Sequence, residues 1–121
     1  MRLALAVALL GLNTSGARGQ EAADAARLYR THCASCHAVR PGQVAVMHGP
    51  NLAGVYGRAA GSLPGYPYSP ALAGASFVWD EAKLEAWVAD PESVLPGTMM
   101  RSHLPDPVVR QRIIDWLKQP S

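Results

Sequence analysis

Five consecutive residues, Cys33-Ala34-Ser35-Cys36-His37, restrict this chain more than any other stretch. The pattern C-x-x-C-H is the attachment signature of a c-type haem. The two thiols can add across the two vinyl groups of the macrocycle, and His37 then lies under the iron as its proximal ligand. Two intervening residues let both sulfurs reach one edge of a planar ring from a single helical turn. A bare C-x-x-C also suits a dithiol redox pair or half of a zinc site. The zinc reading needs a second pair of ligands, and the 121-residue chain has only two cysteines. The dithiol reading expects a βαβ context, which the sequence does not offer.

The start of the chain fits export. Arg2 precedes the apolar run Leu3-Ala4-Leu5-Ala6-Val7-Ala8-Leu9-Leu10, too short to span a bilayer, and Ala17-Arg18-Gly19 is a small-x-small site. Residues 1–19 read as a secretory signal peptide cleaved before Gln20, with 20–121 as one small domain in the periplasm. A retained membrane anchor is the rival reading, and the short run followed by a cleavage-like site argues against it. Removing Arg2 and Arg18 brings the eleven basic residues to nine, matching the nine acidic ones. A chain with no net charge and no basic run gives no footprint for nucleic acid. A domain of this size has a marginal core, which a buried macrocycle would enlarge.

The periodicity predicts an all-α fold with three main helices, short turns and long loops. The first helix covers 20–32, with Ala25, Tyr29 and Cys33 on its inward face and His32 outward. Residues 39–70 carry Gly and Pro at short intervals, and so long a loop in a compact domain is expected to wrap something. Residues 69–74 suggest one short helical turn. Asp80 is a candidate N-cap for a helix over 80–89, with Leu84, Trp87 and Val88 as its stripe and Pro91 ending it. Residues 94–105 read as another loop. Asp106 and Pro107 open a last helix whose Val109, Ile113, Trp116 and Leu117 are expected to pack against Ala25 and Tyr29.

On that second loop stands Leu95-Pro96-Gly97-Thr98-Met99-Met100. A thioether is a soft ligand that suits haem iron opposite a histidine, although loop methionines also serve as gap fillers. Together with His48-Gly49-Pro50-Asn51-Leu52-Ala53-Gly54-Val55-Tyr56-Gly57-Arg58, Pro64-Gly65-Tyr66-Pro67-Tyr68-Ser69, Trp79 and Ile113-Ile114-Asp115-Trp116-Leu117, these blocks make the chain resemble the class I c-type cytochromes, in particular the monohaem, His/Met-ligated mitochondrial-like bacterial branch.

The resemblance implies a small cytochrome c fold closed around one covalent haem c, held through Cys33 and Cys36, with His37 and Met100 as axial ligands. Met99 stands where the family often has lysine. The Pro50 carbonyl is implied as the acceptor of the other His37 ring N–H. Arg58, Tyr68, Ser69, Trp79 and Thr98 match positions around the haem propionates, though Tyr68 and Trp79 also suit plain core packing. The sequence departs from the family in several places. Trp87 replaces a haem-contacting tyrosine, so the hydroxyl usual beside the methionine is expected to be missing. Leu72 replaces an asparagine, Ala25 a glycine, and Arg101 and Ser102 apolar residues. Lys83 and Lys118 are the only lysines, so the docking ring of many relatives is absent.

Two protein ligands leave no open coordination position, so the implied activity is one-electron transfer between redox protein partners rather than catalysis. Arg101 and residues 44–47 are candidates for the rim of a docking patch. Two alternatives stay open: a haem subunit or dedicated acceptor of a periplasmic dehydrogenase, and a haem peroxidase or gas binder that loses Met100 readily. For the latter, no distal acid–base pair is evident, although His103 lies close in sequence. His48 and His103 are read as solvent-facing.

Overall fold

The computed structural model describes residues 14–43 and 48–119. Five helices follow one another: α1 (Thr14–His32), α2 (Pro70–Ala73), α3 (Glu81–Ala89), α4 (Pro91–Val94) and α5 (Pro107–Leu117). The described residues hold no β-strand. An isolated bridge pairs Ala59 with Val78, and Trp79 N–H donates to the Arg58 carbonyl at 2.9 Å. This is the small helical fold that the class I resemblance implies, with α1, α3 and α5 as its long members.

Each capping signal in the sequence is used. Asp80 accepts from the Lys83 amide, and Asp106 from the amides of Val108 and Val109, with Pro107 in the first turn where a missing N–H costs nothing. Pro91 does more than end α3. Asp90 closes α3 and also caps α4, accepting from the Ser93 amide, so the loop begins at Leu95 rather than at residue 94. The chain turns there without unwinding because proline suits the first position of a new helix.

α1 extends six residues before the expected start at Gln20, and its side chains from Ser15 to Glu21 are all exposed. Ala25 and Tyr29 are buried on the face that the spacing predicts, and the Tyr29 ring lies 5.0 Å from that of Trp116 on α5. The small Ala25 side chain lets the two helices approach closely. The apolar face of α5 is wider than its predicted stripe. Ile114, outside that stripe, is 0% exposed and joins Leu84 and Trp87 of α3 in the core with Val55, Ala60 and Trp79. α5 is packed by α1 and α3 together, and two neighbours demand two apolar flanks.

Candidate haem site

The C-x-x-C-H motif folds as a helical turn added to the end of α1. The Cys33 amide donates to Tyr29 O at 2.8 Å, and the His37 amide to Cys33 O at 2.9 Å. Cys33 and Cys36 are half-buried and form no disulfide. Burial, with Cys36 adding to it, pushes the Cys33 thiol up to about 11.

The His37 ring is held by Pro50 and crowded by Gly49. Residues 49–52 run beside 36–38, with the Gly49 amide donating to Cys36 O at 2.9 Å and the Leu52 amide to Ala38 O at 2.8 Å. That pairing sets the Pro50 carbonyl 2.8 Å from His37 Nδ1, the partner implied by the resemblance. A proton on Nδ1 leaves Nε2 as the free donor atom for a metal. Burial lowers the ring's basicity more than the Pro50 bond raises it, which favours the neutral, metal-binding form. Gly49 itself lies against the imidazole so closely that any β-carbon there would overlap the ring.

The Tyr29 hydroxyl donates to the His37 main-chain carbonyl at 2.7 Å. Burial, with Cys33 adding to it, holds that hydroxyl above the ordinary tyrosine range, so it remains a donor. Tyr29→Phe is expected to cost about 1 kcal/mol, the net value of one hydrogen bond, and to lower the melting temperature by about 4–8 °C. Calorimetry of the two proteins checks this.

Met100 is half-buried against the core, whereas Met99 is 77% exposed. Trp87 supplies a contact that the sequence did not reveal. Among the described residues no hydroxyl bonds the Met100 sulfur, but the Trp87 indole Nε1–H donates to Met100 Sδ at 3.1 Å. A different donor fills the role that the tyrosine was expected to leave vacant, because the indole N–H reaches the sulfur from within the Trp79–Trp87 edge contact, 5.0 Å between centroids. Thr98 is 1% exposed and its Oγ1 accepts from the Met100 amide at 3.4 Å.

Arg58 gives the clearest sign of a missing anionic partner. Its Nη1 donates to Ala53 O at 3.2 Å and its Nη2 to Asn51 O at 3.0 Å, while its buried Nε has no partner among the described residues. An unpaired buried guanidinium N–H costs about 1–3 kcal/mol, and a haem propionate is an anion able to satisfy it. Ser69 is buried and its Oγ caps α2, accepting from the Leu72 amide at 3.3 Å. The Tyr68 hydroxyl accepts from the Leu63 amide at 3.2 Å. Both hydroxyl protons remain to be donated. Trp79 is buried edge-on to Phe77 and Trp87. Among the described residues no hydrogen bond joins Tyr68, Ser69 or Thr98 to Arg58. His32, His48 and His103 are exposed, as read from the sequence. Of the expected docking rim, Arg101 is exposed and residues 44–47 lie outside the described residues. Gly49 and Trp87 were given no such contacts by sequence reasoning. The Gly49-Pro50 pair beside the motif was the one available signal.

A thiol pair one turn apart, with an imidazole steered by a carbonyl and an apolar shell of helices, defines a haem-carrying electron-transfer protein. Comparison with known proteins supplies the particular family. The cytochrome c family model matches residues 22–119, and the chain belongs to that family. It is 42% identical over 87 residues to cytochrome c2 iso-2 of Magnetospirillum fulvum, covering 71% of this chain and 88% of that protein. Identity to cytochrome c of Sesamum indicum is 37% over 94 residues, covering 77% and 84%. The solved structure of cytochrome cH from Methylobacterium extorquens superposes with a TM-score of 0.69 at 37% identity, over 80% of this chain and 96% of that one. Cytochromes c are electron carriers that bind haem c covalently, and Cys33 and Cys36 have the spacing this requires.

Proposed function

We propose that this chain is a periplasmic electron carrier whose haem c is joined to Cys33 and Cys36 and ligated by His37 and Met100. The observation that carries this reading is the fixed geometry of the two donors: Pro50 O on His37 Nδ1 at 2.8 Å and Trp87 Nε1–H on Met100 Sδ at 3.1 Å. Donors held in advance need not reorganise when one electron enters or leaves. The haem supplies reversible one-electron exchange at its iron. The chain orients the imidazole, holds the sulfur, and offers the free Arg58 Nε–H and the Tyr68 and Ser69 hydroxyls to the propionates. Met100 is favoured over Met99 because a ligand must face inward, and Met99 is 77% exposed.

Export is supported by the charged and apolar start of the chain and by the lack of burial in residues 15–19. Cleavage before Gln20 would remove exposed helix and leave Ala25 and Tyr29 packed. Among the described residues no helix is long and apolar enough to cross a membrane. Partners are redox proteins meeting the exposed loop around Arg101.

Expression in a host able to attach haem covalently tests the reading. The purified protein should begin at Gln20 and exceed its polypeptide mass by one haem. Its oxidised form should show a sulfur-to-iron charge-transfer band, and its reduced form should bind carbon monoxide poorly. A mass equal to the polypeptide alone, or rapid stoichiometric uptake of carbon monoxide, overturns it.

A further inference from the structure

The loop that carries Met100, residues 95–106, is fixed at its two feet. At the first, the Leu95 amide donates to Pro91 O at 3.0 Å, the Gly97 amide to Glu92 Oε1 at 3.2 Å, and Thr98 is 1% exposed. Beyond Met100 the hold lapses. Arg101, Ser102 and His103 are exposed, and their side-chain contacts with acidic groups are Arg101 to Glu92 at 3.8 Å and His103 to Asp90 at 3.6 Å. Water and salt weaken exposed pairs of this kind.

The second foot is held differently. The Leu104 amide donates to Val88 O at 3.0 Å on α3. Arg110 of α5 then reaches back, its Nη1 donating to Leu104 O at 2.6 Å and Pro105 O at 2.8 Å, and its Nε to Glu85 Oε1 at 2.6 Å. The Arg110 side chain is 13% exposed. The second Glu85 oxygen is buried and has no hydrogen-bond partner among the described residues, although the side chain as a whole is 34% exposed. One planar guanidinium thus ties α5, the loop foot and α3, the helix whose Trp87 bonds the sulfur. A lysine ammonium is a point charge and does not present this fork.

We propose that Arg110 is a positioning residue for Met100: by gripping the far foot of the loop, it sets how readily the sulfur leaves the iron. The proposal rests on Met100 ligation. Sulfur release requires the loop to swing outward, and with residues 101–103 lightly held, the carbonyls of Leu104 and Pro105 are where that swing is resisted. Releasing them raises the population of the sulfur-free state without altering either ligand.

The test is an imidazole titration of the oxidised haem-loaded protein, followed by loss of the sulfur-to-iron band, beside denaturant unfolding. Arg110→Met should raise imidazole affinity about tenfold or more and speed exchange of the Leu104 amide. Glu85→Gln, which loosens the guanidinium, should give a smaller rise. Lys118→Met cuts another α3–α5 link, the 2.6 Å pair with Glu81, without touching the loop. The pair is exposed, so the unfolding midpoint should fall only slightly, and imidazole affinity should stay within about twofold. If Arg110→Met does not accumulate with haem, Arg110→Lys and Glu85→Gln decide the matter, and unchanged affinity in both overturns the proposal. Unchanged affinity in Arg110→Met overturns it, as does an equal rise in Lys118→Met, which would make the effect one of general stability. A wild-type protein without the band overturns Met100 ligation and this proposal with it, whereas an intact band with an inert Arg110 overturns this proposal alone.

Discussion

Gly49→Ala is expected to dislodge the His37 ring while leaving the haem attached through its two sulfurs. A β-carbon at this position would lie 2.5 Å from Nδ1 and 2.7 Å from Nε2, and nearer still to Cε1. Ordinary contacts need close to a further ångström. The backbone has little room to retreat, because the Gly49 amide is bonded to Cys36 O at 2.9 Å and the next residue is a proline whose carbonyl bonds the ring. Gly49 does not adopt a positive φ, so the penalty comes from overlap with the imidazole and not from backbone strain. The ring must move, and it then loses Pro50. Overpacking costs about 1–3 kcal/mol and the lost hydrogen bond about 1 kcal/mol more, so the melting temperature should fall by about 10 °C or more. The intact mass should stay that of the haem-bearing chain while the absorption spectrum reports altered axial ligation. A spectrum and melt that match the wild type would show that Gly49 does not crowd the proximal histidine.

The parts legible in the sequence were those whose physics is local. A C-x-x-C-H motif needs one helical turn, and it sits on one. Asp80 and Asp106 announce helix starts because a carboxylate pairs with free amides two or three residues on, and both do so. Tyr29 and Ala25 fell on the buried face because a single neighbour, α5, defines that face. Ile114 was missed because α5 has two neighbours, and periodicity cannot say how many helices will cover one. Arg110 carried no local signal at all. Its partners stand at Glu85, Leu104 and Pro105, one of them twenty-five residues away. An arginine on an amphipathic helix reads as a solvated side chain until those neighbours are in place. Trp87 shows a subtler limit. Replacement of a tyrosine by tryptophan reads as loss of a hydroxyl, and only the ring's orientation shows that another donor reaches the same sulfur. Site residues defined by backbone carbonyls, such as Pro50 toward His37, were accessible through family resemblance alone, since a carbonyl has no residue type.

The Trp87 donor leads to the second large effect. Trp87→Phe should lower the reduction potential, by at most about 60 mV. The indole N–H draws electron density from Met100 Sδ, to which it donates at 3.1 Å. With Met100 as the proposed ligand, ferric iron would depend on that density more than ferrous iron, so the bond would favour the reduced form. A neutral hydrogen bond has a net value of about 0.5–1.5 kcal/mol, and for one electron about 1.36 kcal/mol corresponds to about 59 mV; only the difference in bond strength between the two oxidation states moves the potential, so these figures bound the shift from above. Phenylalanine keeps an aromatic edge for Trp79 and removes the donor, at a packing cost of about 1–2 kcal/mol from the volume lost. Stability and potential therefore separate the two roles of this side chain. Voltammetry and a melt on the same sample measure both. If the melt falls while the potential stays fixed or rises, the indole is packing alone and its N–H does not tune the sulfur. If the potential falls, the tryptophan substitution has preserved a hydrogen bond to the ligand with a different donor, and the absence of the usual hydroxyl carries no electronic penalty.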